Sequence, residues 1–192
     1  RDRESFDVIA LTANRNVDDL FSQCQIWEPK FAVMAEYSSV FGNTKVVEIR
    51  FPDTRIAPMK AYIQDGIFQN RTTLANVSLS MYTYVLDQLA KTFVPQGKSA
   101  LVLGLGAGVV PRDLKRRGLD VTVVDINPDA LVAATEHFGF KPGGFEMRLQ
   151  DARTFVRNCE ASFDVVVVDH HEGEARLPPA VAVINPNRLD EE

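Results

Sequence analysis

The feature that most constrains this chain is the run Leu101-Val102-Leu103-Gly104-Leu105-Gly106-Ala107-Gly108, an apolar strand pattern that empties into three glycines at alternate positions. Around it, β-branched runs recur at Val121-Thr122-Val123-Val124 and Val165-Val166-Val167-Val168. Uninterrupted runs of this kind suit strands covered on both faces. The alternation predicts strands over 100–104, 120–125, 145–149 and 163–169, with helices over about 108–117, 128–138 and 152–159 between them. After Glu172-Gly173-Glu174 and Pro178-Pro179 the rhythm lapses into loop, and Ala180 to Ile184 reads as a last short strand. Strand and helix in strict alternation build a parallel sheet layered by helices, an α/β fold.

The glycine loop also points to chemistry. Glycines at 104, 106 and 108 let the backbone turn sharply and approach a ligand where a Cβ would intrude. A pyrophosphate-binding loop would place its third glycine one residue later, but position 109 is Val. The spacing therefore suits a nucleoside lying across the turn. Twenty-one residues after Gly104 the next strand ends in Asp125, a carboxylate able to accept from both hydroxyls of a ribose. Asn127 and Pro128 follow as helix cap and first-turn residue. At Gln150-Asp151-Ala152, Asp151 either caps the next helix or accepts from an adenine amino group. Asp169 ends the strand after that, where open α/β sheets bind their ligands; it reads as a general base or as a solvated strand-end carboxylate.

The rest of the chain is organised differently. Residues 6–36 read as strand, helix, strand, with Val17, Leu20, Phe21 and Cys24 on one helical stripe and Phe31 to Met34 as the second strand. From 37 the pattern turns to β. Lys45 to Phe51 is one strand, and Ala61 to Gln64 meets Ile67 to Gln69 across Asp65-Gly66, the dipeptide of a tight hairpin. Residues 76–93 read as a long helix with Val77, Met81, Val85, Leu89 and Phe93 along one side.

Charge narrows the function classes. The 192 residues carry 21 Lys+Arg against 26 Asp+Glu, a net charge of −5, so no bulk positive field is present to hold nucleic acid. Only Cys24 and Cys159 are present, too few for a disulfide framework. No apolar run approaches the length of a membrane helix, and a cytoplasmic location without membrane attachment is the expectation.

Residues 37 to about 169 resemble the spermidine synthase family, the polyamine aminopropyltransferases, on Tyr37 to Arg50, Asp65-Gly66-Ile67-Phe68-Gln69, Leu103 to Gly108, Asp125, Asp151-Ala152 and Asp169. The resemblance implies a class I methyltransferase-like, Rossmann-like sheet, mostly parallel with helices on both faces, plus a small β-hairpin subdomain. It implies S-adenosylmethionine or its decarboxylated form as co-substrate, with Gln69, Gly104, Gly106, Gly108, Asp125, Asp151 and Ala152 holding the nucleoside. It further implies Asp169 as the group that deprotonates an attacking amine or polyamine, no resident metal, and a chain open to homodimerisation. After Gln69 this chain has Asn70-Arg71-Thr72 and Ser80-Met81-Tyr82 where the family usually carries acidic residues and a Tyr-His-Glu stretch.

The two ends resemble other families. Phe6 to Val17 and Pro29 to Met34 are similar to 1-deoxy-D-xylulose 5-phosphate reductoisomerase, in which Asn14-Arg15-Asn16 would lie near an NADPH 2′-phosphate; Arg15 on its own reads as a surface charge. Val166 to His171, with Leu177-Pro178-Pro179-Ala180 and Ile184 to Arg188, resembles the DHH phosphoesterases, which implies manganese held by Asp169 and His170. Adjacent residues of one strand point to opposite faces, so His170 and His171 would not easily share a metal. Three partial signatures in succession suggest a recombined chain. The expected organisation is 1–36 as a β-α-β piece added to the parallel sheet, 37–75 as a hairpin subdomain, 76–169 as the nucleoside-binding core and 170–192 as a terminal loop and strand.

Overall fold

The computed structural model describes residues 10–12, 31–53, 55–168 and 180–184. They divide into two compact units, Arg1–Ser80 and Met81–Glu192.

The first unit is a five-stranded sheet in the order β1 (Ala10–Thr12), β2 (Phe31–Ser39), β3 (Gly42–Ile49), β4 (Met59–Gln64), β5 (Ile67–Thr73). β1 and β2 are parallel, and the remaining pairs are antiparallel. The predicted hairpin is present. Asp65 and Gly66 take φ of 50° and 82°, the two positive values that a tight turn matched to strand twist requires. Alternation sends Val47, Ile49 and Ala61 to a small apolar core with Phe51, Met59 and Ile63. The opposite face buries Thr44, Lys60, Tyr62, Asn70 and Thr72.

Two expectations need correction here. The strands at 10–12 and 31–39 pair within this sheet and not in the parallel one, and β2 runs through the boundary drawn at residue 36. The long helix begins at Met81, not at 76: α1 spans Met81–Phe93. Asn76 is left-handed at φ 63°, while Thr73 N–H donates to Val77 O (2.8 Å) and Leu79 N–H to Arg71 O (2.7 Å). Backbone groups that a first helical turn would use are thereby committed to β5.

The second unit holds the expected α/β layers. β6 (Ser99–Leu103), β7 (Asp120–Asp125), β8 (Glu146–Leu149), β9 (Phe163–Val168) and β10 (Ala180–Ile184) form a wholly parallel sheet in the order β10-β9-β6-β7-β8. Among the described residues of this unit the α-helices are α1, α2 (Val109–Arg116), α3 (Pro128–His137) and α4 (Ala152–Asn158). Each strand sends alternate residues to opposite faces. Ala100, Val102, Val121, Val123, Val165 and Val167 meet Leu86, Ala90, Val110, Leu114 and Ala134 from α1, α2 and α3. Leu101, Leu103, Val124, Val166 and Val168 meet Val156 and Phe155 of α4. Helices therefore cover both faces, as the β-branched runs require. Each fully buried Val or Leu contributes roughly 1.5–3 kcal/mol relative to exposure.

α1 departs from expectation in its orientation as well as its start. Thr83, Leu86 and Ala90 are its buried residues, whereas Met81, Val85 and Phe93 are exposed. Among the described residues no helix is long and apolar enough to cross a membrane.

Candidate functional site

β6 and β7 lie side by side, Leu103 opposite Val124, so their carboxyl ends open at one edge of the sheet. The glycine loop leaves β6 there. Gly104 N–H donates to Val124 O (2.8 Å), which keeps the loop's first residue in the sheet. Gly104, Gly106 and Gly108 all take positive φ, at 100°, 51° and 71°, and Gly108 caps α2.

The glycines serve different ends. A Cβ built on Gly106 would meet nothing within 4 Å, so its bare backbone borders open space. At Gly108 a Cβ would lie 2.8 Å from the Phe140 ring, and Phe140 is a buried member of the core. Gly106 thus leaves room beside the loop, and Gly108 lets Phe140 pack against the start of α2.

Asp125 adjoins this shelf. One carboxylate oxygen accepts from Leu105 N–H and the other from Asn127 N–H, both at 2.7 Å. The carboxyl group is half-buried and oriented toward the loop by these two amides. Asn127 is itself buried, and its side chain accepts from Asp129 N–H (3.0 Å) as the cap of α3. Between them stands Ile126, 42% exposed at the mouth of the sheet. Sequence reasoning passed over it; the available signal was an apolar residue between a strand-end acid and a helix cap, where no core position exists.

The end of β8 joins the same edge. Gln150 N–H donates to Asp125 O (3.0 Å), which draws Gln150-Asp151-Ala152 beside the Asp125 backbone. Asp151 is the cap of α4: one oxygen accepts from Thr154 N–H and Thr154 Oγ1, both at 2.8 Å. These bonds hold its carboxyl below the ordinary carboxylate range. Of the two roles open to Asp151, capping is the one in place. Ala152 is half-buried against the Leu101 and Leu103 cluster.

Gly104, Gly106, Gly108, Asp125, Asp151 and Ala152 are therefore assembled by the strand ends of one sheet. Gln69 belongs to the other unit, on β5, at the irregularity where Phe68 pairs with Ile63 and Asn70 with Tyr62. Asp169, His170 and His171 lie outside the described residues, as do Asn14-Arg15-Asn16 and Cys24.

A second feature of the same unit fixes the far ends of these strands. Asp164 Oδ2 accepts from Lys98 N–H (2.8 Å), Ser99 N–H (2.9 Å) and Ser99 Oγ (3.0 Å), and Asp164 N–H donates back to Ser99 Oγ (3.0 Å). The donors keep its carboxyl below the ordinary range and pin the start of β9 to the start of β6.

Comparison with known proteins gives these observations a setting. The family model described as "Methyltransferase domain" matches residues 100–185, and that of 1-deoxy-D-xylulose 5-phosphate reductoisomerase matches residues 1–63. Among curated proteins, N-terminal histidine N-methyltransferase of Emericella nidulans is 34% identical over 84 residues, 41% of this chain and 15% of that protein. Polyamine aminopropyltransferase 2 of Hyperthermus butylicus is 29% identical over 80 residues, 38% of this chain and 26% of that one. The chain thus spans about a quarter or less of these relatives. Among solved structures, a probable spermidine synthase from Corynebacterium glutamicum superposes with a TM-score of 0.57 at 16% identity, covering 73% of this chain and 53% of the other. The parallel unit has the class I methyltransferase-like, Rossmann-like fold, with spermidine synthase similarity at modest identity.

Proposed function

We propose that the chain binds the adenosine moiety of S-adenosylmethionine, or of its decarboxylated form, across Gly106 and transfers a carbon group from the sulfonium to a small-molecule amine. The observation that carries this reading is the open backbone at Gly106 beside an Asp125 carboxylate oriented by the loop. Asp125 would take the ribose hydroxyls, and Ile126 would offer its exposed side to the adenine ring. Asp151 and Ala152 would border the base. The co-substrate supplies a sulfonium-activated carbon.

Asp169 would accept the proton of the amine as nitrogen bonds to that carbon and the carbon–sulfur bond breaks, leaving a neutral thioether. Transfer of a methyl group and transfer of an aminopropyl group use the same displacement. The relatives include one protein named for each, a methyltransferase and an aminopropyltransferase.

Thermal melts with methylthioadenosine, S-adenosylmethionine and decarboxylated S-adenosylmethionine test the binding step. A ligand held only by the folded state raises Tm, by the equivalent of about 2.7 kcal/mol at a hundredfold excess over Kd. Product analysis with amines then separates methyl from aminopropyl transfer. No rise in Tm at millimolar nucleoside overturns the reading. It would leave the second one, a recombined chain without catalysis, which is favoured by two unrelated family models matching successive stretches, 1–63 and 100–185.

A further inference from the structure

β8 ends the parallel sheet, and among the described residues no strand pairs with its outer side. Its backbone polarity follows from one bond. Gln150 N–H donates to Asp125 O on β7 (3.0 Å), so even-numbered residues turn their backbone groups inward, and Met147 and Leu149 turn theirs to the open edge. An edge of this kind is a template for another strand unless charge or distortion blocks it.

The side chains make the edge self-complementary. Phe145 and Met147 lie with the core cluster on the α1 side of the sheet, and Leu149, on that same side, is 50% exposed. Glu146 and Arg148 project from the opposite face, about half-exposed and paired with each other, and Glu146 also accepts from Thr122 Oγ1 (3.1 Å). We infer that two copies of this chain join through β8, antiparallel about a two-fold axis at Met147, extending the two parallel sheets into one.

In that register Met147 exchanges both backbone bonds with its counterpart, the narrow pairing of an antiparallel ladder. Each Leu149 N–H meets the Phe145 carbonyl of the other copy. Phe145 stands opposite Leu149 and Met147 opposite Met147, one apolar row that covers the exposed Leu149. On the other face Glu146 stands opposite Arg148 at both ends of the pairing, so unlike charges meet in both cross-strand positions. A groove of about 450 Å3 borders the end of β8 and is lined from both of its faces, by Met147 and Leu149 as well as by Arg148, Phe155 and Asn158. Charge selects the register as well. Centring the axis on Leu149 would set Arg148 against Gln150 and Met147 against Asp151, losing every ion pair. A two-fold contact of one patch with itself is the commonest form of homodimer.

Sedimentation velocity of the full chain from about 1 to 100 μM tests this, since a short strand contact is expected to fall in the micromolar range. Dimer is expected in the upper part of that range. Arg148→Glu and Glu146→Arg each set two like-charge pairs across the axis and are expected to weaken dimerisation about tenfold. The double variant E146R/R148E restores opposite charges and recovers the parent's dimer. Met147→Pro removes the central N–H and leaves monomer, with far-UV circular dichroism confirming the fold in each case. Monomer throughout the range overturns the inference. So does a dimer indifferent to the single charge reversals, or a double variant that behaves as the singles do.

Discussion

At the scale of single residues, Gly106 and Gly108 carry the same φ sign for different reasons, and substitution separates them. Alanine at Gly106 has space for its methyl group and bears only the left-handed backbone, about 1 kcal/mol. It fills the shelf, however, and we expect the nucleoside-induced rise in Tm to vanish while the fold persists. Alanine at Gly108 adds a Cβ against the buried Phe140 ring and should lose a further ~1–3 kcal/mol. Denaturant melts with and without nucleoside read both quantities. Asp164 gives a pH signature. Its carboxyl lies below its ordinary value because Lys98 and Ser99 donate to the ionised form, so the stabilisation is present above the unfolded pKa and is lost as pH falls through the folded one. Asp164→Asn should melt below the parent at pH 7, and the two curves should converge as pH drops below about 4. Equal melting at pH 7 would remove Asp164 from the account of how β6 and β9 are joined.

At the scale of elements, the sequence was most legible where a structure depends on neighbouring residues. Asp65-Gly66 fixes its hairpin through two φ values, and the valine runs of β7 and β9 declare strands buried on both faces. The four-residue spacing is a poor guide to α1 because each step advances 400° around the helix, so Met81, Val85, Leu89 and Phe93 spiral away from any one face, and Val77 precedes the helix altogether. The buried set, Thr83, Leu86 and Ala90, follows spacings of three and four and returns to the same side. Truncation should show the difference. Leu86→Ala is expected to cost about 2–5 kcal/mol, and Val85→Ala within about 0.5 kcal/mol of neutral, in urea unfolding. Similar losses at both positions would mean that the exposed side of α1 is covered in solution.

At the scale of the whole chain, local pattern stops being a guide. A β-α-β reading of residues 6–36 was compatible with any sheet that accepts a parallel strand, and pairing, not propensity, placed β1 and β2 beside β3. The glycine loop and Asp125 could be matched from sequence because neighbouring strands of one sheet carry them. Gln69 could be named only by resemblance, since nothing local ties a β5 residue to a loop in another unit. The division has a consequence for folding. Every buried residue of the two large core clusters lies between Leu86 and Ile184, so residues 81–192 contain the whole of their own described core. Expressed alone, that segment is expected to melt cooperatively and to retain nucleoside binding through Gly106 and Asp125. The ligand contact that the resemblance implies for Gln69 is absent from this segment, and if the full chain makes it, the segment binds about five- to tenfold more weakly. Calorimetric titration of the segment beside the full chain measures the ratio. Equal affinities would separate Gln69 from the ligand, and a segment that fails to fold would show that its core depends on the first eighty residues.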